Sequence, residues 1–379
     1  MRVLFITSEF FNKTGGGTLA RSYYNALCKA IGKENAVLFA FPDRGIPEEK
    51  EYKSNIYGKH YSMIEKIFNV LKNGDPLIGN DVVKTLFECI KTNNIDTVFL
   101  FRSTQTKYLK KIKKNLNIKS VVFFVDIFPD VMKYKWKDNK INYLKLLPLY
   151  IQYAINEKYA SKIADRTIVM NQRDYDRFLY YYKKSPTDIL PMIVKDSFSD
   201  DYEFLWKNKN FDEKYQLTFV GANFWANISG LKWFVNSVMP LIKVDYVLKI
   251  VGYKMEFLRN EPDFNNDKIE IVGTVDDLKP YYADADVIVM PILEGTGMKT
   301  KTAEALQFGK TIIATPEALC GYEGLDDNCC STANEFAELI EYYCVNRPEK
   351  FSQYYRNLYV DNYSENAIST RLKQLFQKL

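Results

Sequence analysis

Ten short runs of Val, Ile, Leu, Phe and Tyr, each four to six residues long, recur along the chain with enough sequence between most of them for a helix. They lie at residues 3–6, 36–41, 97–101, 121–125 and 167–170, and again at 217–220, 246–251, 269–272, 287–290 and 311–314. The runs are continuously apolar rather than alternating. Strands of that kind are buried on both faces, as in parallel sheets covered by crossover helices. The expected class is therefore α/β, with two doubly wound, Rossmann-like units. A chain of 379 residues has room for both, and 47% hydrophobic with 26% charged residues excludes disorder and fibrous repeats. With 28 Tyr and 25 Phe, large buried aromatic cores or stacking surfaces are expected.

The first unit is expected over residues 1–195 and the second over 215–363. Residues 196–214 between them are polar, acidic and aperiodic, as a linker is. From Ser364 the tail carries Ile368, Leu372, Leu375, Phe376 and Leu379 at helical spacing, so a terminal helix has an apolar side to bury. Charge divides unevenly. Residues 1–200 hold 33 Lys and Arg against 21 Asp and Glu, whereas the remainder holds 19 against 26. The two halves face different partners.

Six cysteines (Cys28, Cys89, Cys320, Cys329, Cys330, Cys344) form no C-x-x-C pair and no metal spacing, which fits a reducing compartment. The chain opens directly on a strand-like run, and no apolar stretch reaches the 18 or so residues of a spanning helix. A cytoplasmic chain is expected. His60 is the one histidine, so histidine triads, Cys/His nucleophiles and histidine metal sites are nearly excluded, and no metal is expected.

Two glycine signals remain. Gly15, Gly16 and Gly17 lead into a helix expected over 18–30 and formally match a dinucleotide fingerprint, with Asp43 in the place of a ribose-binding acid. Yet they follow Ile6 by nine residues, too far for that tight turn. A ligand-approaching loop and a plain flexible turn both remain open. The second signal is stronger: strand 287–290, then Glu294, Gly295, Thr296, Gly297, Met298, Lys299, then Lys301 and Glu304 opening a helix that stops at Gly309. Bare backbone, a helix N-terminus and a lysine together suit a phosphate, and a carboxylate one turn on suits two ribose hydroxyls. Standing alone, Lys301 and Glu304 would read as a surface i, i+3 pair. At the carboxyl end of a sheet strand they read as a ligand site.

Around this signal, Leu217–Val220 with Gly221, then Asn227, Gly230-Leu231-Lys232-Trp233-Phe234, Ile250-Val251-Gly252, Val272-Gly273-Thr274-Val275 and Tyr281-Tyr282-Ala283-Asp284-Ala285-Asp286 follow in order. The segment resembles the carboxy-terminal domain of GT-B glycosyltransferases, most closely the large retaining group 1 family (family four type) that includes capsule and lipopolysaccharide sugar transferases. Amino-terminal similarity is weaker, resting on residues 3–6, the Gly15–17 loop, Asp126-Ile127-Phe128-Pro129 and Ala164-Asp165.

The resemblance implies a GT-B fold with the terminal helix crossing back to the first domain. It implies an acceptor, saccharide or lipid-linked saccharide, on the first domain, a nucleotide-sugar donor of UDP or GDP type on the second, and chemistry in the cleft. Glu304 would hold the ribose, and Lys301 with Lys299 the diphosphate. Gly295, Thr296, Gly297 and Met298 would meet phosphate and sugar, and Gly273 to Val275 the base. Gly221, Asn227, Gly16 and Gly17 would line the donor. Asp126 and Glu294 join Lys301 as candidate catalytic groups, although relatives often carry a histidine where Val125 stands and a carboxylate where Thr296 stands.

Retention is expected, with a donor phosphate oxygen taking the acceptor proton. An inverting enzyme using Asp126 or Glu9 as base, an epimerase on the same fold, and a non-catalytic sugar-nucleotide-binding partner are the alternatives. The donor is a substrate, so no cofactor is expected. The basic segments 107–116 and 132–150 mix lysines with aliphatic and aromatic residues, which suits an anionic membrane surface and a peripheral location on its inner face. No nucleic-acid motif accompanies the charge.

Overall fold

The computed structural model describes residues 1–12, 15–41, 54–56, 61–199, 202 and 214–379. Asp43, His60 and most of the expected linker lie outside them. The chain divides into two units, one of Met1–Ile193 with Glu365–Leu379 and one of Val194–Ser364.

In the first unit the described strands β1 (Val3–Thr7), β2 (Ala36–Ala40), β3 (Ser54–Ile56), β4 (Thr97–Phe101), β5 (Lys119–Phe124), β6 (Arg166–Val169) and β7 (Asp188–Ile189) form one sheet in the order 3-2-1-4-5-6-7. Every pairing is parallel. All residues of β1 and β4 are buried, as their unbroken apolar runs require. The edge strands β3 and β7 are additions to the sequence reading, since neither has an apolar run to announce it. Much of the aromatic content is core: Phe5 stacks on Phe99 at 5.3 Å and Phe101 at 5.5 Å, and Tyr23 meets Phe123 edge-on at 4.8 Å. The Tyr23 hydroxyl, fully buried, donates to the Pro191 carbonyl at 2.6 Å, so the ring enters the core with its polar end satisfied. The terminal helix Glu365–Gln377 belongs to this unit and buries Ile368, Leu372, Leu375 and Phe376, the last 6.3 Å from the Phe99 ring.

The second unit repeats the plan with β8 (Tyr215–Val220), β9 (Tyr246–Val251), β10 (Ile269–Gly273), β11 (Val287–Met290) and β12 (Ile312–Ala314), ordered 10-9-8-11-12 and all parallel. The start of the expected linker packs here: Asp196 pairs with Arg356 at 2.6 Å, and Tyr202 is buried with its hydroxyl donating to the Phe308 carbonyl at 3.1 Å. In each sheet the strand order reverses beside the first strand, between β1 and β4 and between β8 and β11. Loops leaving those carboxyl ends diverge and open a crevice.

Helix Trp225–Trp233 is pressed onto the loop after β11 at Gly230, where a Cβ would lie 1.8 Å from the Pro291 carbonyl oxygen. No side chain fits against backbone at that distance. Gly230→Ala should cost about 1–3 kcal/mol through forced displacement, read as a lower urea midpoint; an unchanged midpoint would show that the loop yields freely.

Candidate functional site

The loops at the β8/β11 reversal bring one group of the expected residues together. Helix Thr300–Gln307 begins just beyond the Gly295–Gly297 turn, where Gly297 takes φ +61°, and its N-cap residue Lys299 makes no side-chain cap, so the first N–H groups have no capping oxygen. Lys301, the second helical residue, reaches across to the end of β8. Its ammonium donates to Asn227 Oδ1 at 2.7 Å and lies 4.2 Å from the centre of the Phe219 ring. Gly221 leaves the room: a Cβ there would stand 2.8 Å from Lys301 Nζ. Burial is the main cause that lowers Lys301 to about 7; neighbouring Glu304 pulls the other way, and Lys299 adds to the lowering.

Glu304 projects one turn further on. Burial raises its carboxyl above the usual range, opposed by Lys301 and by the Tyr282 hydroxyl, which donates at 3.4 Å. Tyr282 is itself fixed by stacking on Phe308 at 4.7 Å. An ammonium and a carboxyl thus share a desolvated corner, each disfavoured as an ion until something polar arrives. That is the electrostatic condition of an empty anion site.

Lys299 behaves differently from its neighbour. It pairs with Glu317 at 2.6 Å and donates to the carbonyls of Thr296 at 3.2 Å and Gly297 at 2.9 Å. Its charge is already compensated, and it clamps the glycine turn against the segment after β12. Glu317 and Tyr282 are functional neighbours that the sequence reading lacked, because nothing in local spacing ties them to the 295–304 segment. Glu294 and Met298 sit in the same loop, Glu294 partly exposed and Met298 buried. Gly273 and Val275 lie at the end of β10, where Thr274 N–H and hydroxyl donate to Glu256 at 3.2 Å and 3.0 Å.

The remaining candidates are in the first unit, at its own reversal. Helix Gly15–Ile31 starts at the glycines, three residues earlier than expected, so Gly16 and Gly17 are helical rather than a loose loop. A Cβ on Gly17 would lie 2.0 Å from the Asn12 carbonyl, and one on Gly16 2.4 Å from Glu9 Oε2. Glu9, after β1, pairs with Arg102, after β4, at 2.5 Å. Arg102 holds φ +153°, a strained conformation for a residue with a side chain, and Arg102 Nε and Glu9 Oε2 are buried with no hydrogen-bond partner. Beside them Arg102, Ser103, Thr104, Val125, Asp126 and Phe128 line a pocket. Under its floor is buried Glu157, raised to about 7 mainly by burial, which accepts from the hydroxyls of Ser103 and Tyr182 and from Phe128 N–H at 2.9 Å. Strained backbone and orphaned polar atoms in a crevice are what a polyhydroxyl ligand could satisfy.

In isotope-edited NMR of the unliganded protein, Lys301 should titrate near pH 7, far below the other lysines. A value near 10 would mean that water reaches the ammonium.

No curated protein matches this chain. Residues 214–344 match the family described as Glycosyl transferases group 1. Among solved structures, sucrose-phosphate synthase from Thermosynechococcus elongatus is similar with a TM-score of 0.70 at 16% identity, over 100% of this chain and 98% of that one. The lipopolysaccharide outer core galactosyltransferase WaaB is similar at 0.69 and 13%, over 100% of both chains. HepE from Anabaena, in complex with UDP-glucose, is similar at 0.66 and 13%, again over 100% of both. At such identities the likeness establishes the fold, while the family match, confined to the second unit, covers the site around Lys301 and Glu304. The chain is a glycosyltransferase of GT-B fold whose second unit is a group 1 glycosyltransferase domain.

Proposed function

We propose that this enzyme moves a sugar from a UDP-sugar to a saccharide or lipid-linked saccharide in surface polysaccharide or glycoconjugate synthesis, with retention of configuration and without a metal. The observation that carries the donor reading is the desolvated Lys301 beside the uncapped start of helix Thr300–Gln307. A diphosphate there would keep the ammonium charged and accept hydrogen bonds from the first helical N–H groups, so leaving-group charge is met by protein rather than by a cation. Glu304, one turn on, would accept from two ribose hydroxyls, and as an ion it would then be stabilised by the bonds it lacks without ligand. Gly273 and Val275 would flank the base, and Glu294, Thr296 and Met298 the sugar. UDP as the nucleotude class is supported by the complexes of HepE with UDP and UDP-glucose.

The acceptor is assigned to the first unit, where Glu9, Arg102 and Asp126 offer hydrogen-bonding groups in a lined pocket. In a same-face reaction the donor phosphate oxygen takes the proton of the acceptor hydroxyl as the glycosidic C–O bond of the donor breaks, and Asp126 only positions the acceptor. A lipid-linked acceptor would bring the enzyme to an anionic membrane face, in line with the positive excess of residues 1–200.

Glu304→Ala and Lys301→Ala should each weaken UDP binding by about 1.5–3 kcal/mol, the worth of a charge-assisted bond, as read by calorimetry on folded protein. Unchanged affinity in both would leave only a surface pair. The first product should keep the donor's anomeric configuration by NMR. The opposite anomer, together with a rate loss of roughly 10²–10⁴ in Asp126→Asn, would make Asp126 the base of an inverting enzyme.

A further inference from the structure

Helix Met63–Asn73 is built inside out. It is a well-formed element, with a capping box between Ser62 and Glu65 and Gly74 closing it in the left-handed conformation. Yet Met63, Ile64, Ile67, Phe68 and Leu71 are 76%, 68%, 56%, 65% and 67% exposed. The opposite side, against the protein, carries Asn69 and Asn73, which donate to the carbonyls of Pro76 at 3.1 Å and Ile78 at 2.7 Å. The element is held by amides and presents its apolar stripe to solvent, the reverse of what a globular fold asks of an amphipathic helix.

A second stripe lies next to it. In helix Lys140–Ile163 the exposed residues include Ile141, Leu144, Ile151 and Ile155, whose spacing of three, seven and four puts them on one side, whereas Asn156, Glu157, Ala160 and Ser161 are buried on the other. The two helices meet where Asn156 Nδ2 donates to the Gly74 carbonyl at 3.0 Å, and Lys107 Nζ donates to the Leu71 carbonyl at 2.7 Å, so both belong to one braced part of the first unit. Helix Leu109–Asn115 takes no part through its apolar residues: Leu109 and Ile112 are in the core and Lys113 is paired with Asp165 at 2.6 Å.

We propose that these two outward stripes form a docking face for an anionic lipid surface. This deepens the membrane part of the proposed function and does not depend on the donor site. Charge selects the occupant. Helix Lys140–Ile163 carries Lys140, Lys145, Lys158 and Lys162, all exposed, and its one acidic residue, Glu157, is buried. Lysines bordering an apolar stripe suit acyl chains below and anionic headgroups around. Trp136, 41% exposed with Lys140 at 5.7 Å from its ring, adds the aromatic and cationic pairing that headgroup depth favours. A second copy of the chain docking by this same face would set lysines against lysines. No helix among the described residues is long and apolar enough to cross a membrane, so the contact would lie in the plane of the surface.

The test is co-sedimentation of the full chain with vesicles of phosphatidylglycerol and phosphatidylcholine, and of phosphatidylcholine alone. The wild type should bind the anionic vesicles preferentially, less so as salt rises past ~0.15 M. Ile64→Ser, Phe68→Ser and Leu71→Ser together should lower partitioning at least tenfold with an unchanged thermal melt, because those side chains bury little in the fold. Hydrolysis of UDP-glucose should persist in that variant, which separates failure here from failure of the transferase reading. Three outcomes would overturn the proposal: binding that is absent or unaltered in the variant; a lowered melt, meaning the stripe is needed inside the protein; or a wild-type dimer that the variant dissolves, meaning a second copy covers it.

Discussion

Lys301 is a cation in a place that disfavours cations. Its ammonium is held by an amide oxygen and a ring face, 2.7 Å from Asn227 Oδ1 and 4.2 Å from the Phe219 centre, and burial brings it down to about 7. That position requires a parallel sheet whose order reverses between β8 and β11, a glycine at 221, and a helix whose start is set by the Lys299 clamp on the glycine turn. Each neighbouring feature of the second unit can be read as serving that placement. Glu317 takes the charge of Lys299, so one lysine shapes the loop and the other keeps its charge for a ligand.

The first unit repeats the reversal with different chemistry. Where the second unit places a cation and a helix start, the first places the Glu9–Arg102 pair, strained at Arg102 and with one atom of each side chain unsatisfied. A strained, partly unsatisfied pair is a cost that folding alone does not explain, and it sits where open α/β sheets bind ligands. The positive excess of the same half has a further location in the lysines that border the outward stripes of helices Met63–Asn73 and Lys140–Ile163. Polar groups at the crevice and apolar groups on the outer helices divide the surface by the kind of partner each can satisfy.

What the sequence made legible follows from how local each signal is. The buried strands were readable because a run such as Val3–Thr7 is apolar on both faces, and β3 and β7 were not, because three and two residues at a sheet edge leave no run. The Lys301–Glu304 pair was readable from its setting behind a glycine turn. The partners that tune it were not: Tyr282 lies on another helix and Glu317 on a later loop, and only the fold joins them. Helix spacing also misleads about direction. In residues 109–116 the apolar side is in the core, whereas in Met63–Asn73 an equally regular stripe faces outward, since the core contact there is made by asparagines.

The central claim is that Lys301 is kept poor in protons until a diphosphate reaches it. Calorimetry of UDP binding in buffers of different ionisation enthalpy counts the protons taken up. The free protein at pH 8 is above the Lys301 value of about 7 and must gain close to one proton on binding, whereas at pH 6 it already carries that proton and gains little through this group. Uptake at pH 8 that vanishes in Lys301→Met is the predicted result. Equal proton exchange in the wild type and in Lys301→Met, with UDP still bound, would contradict the account.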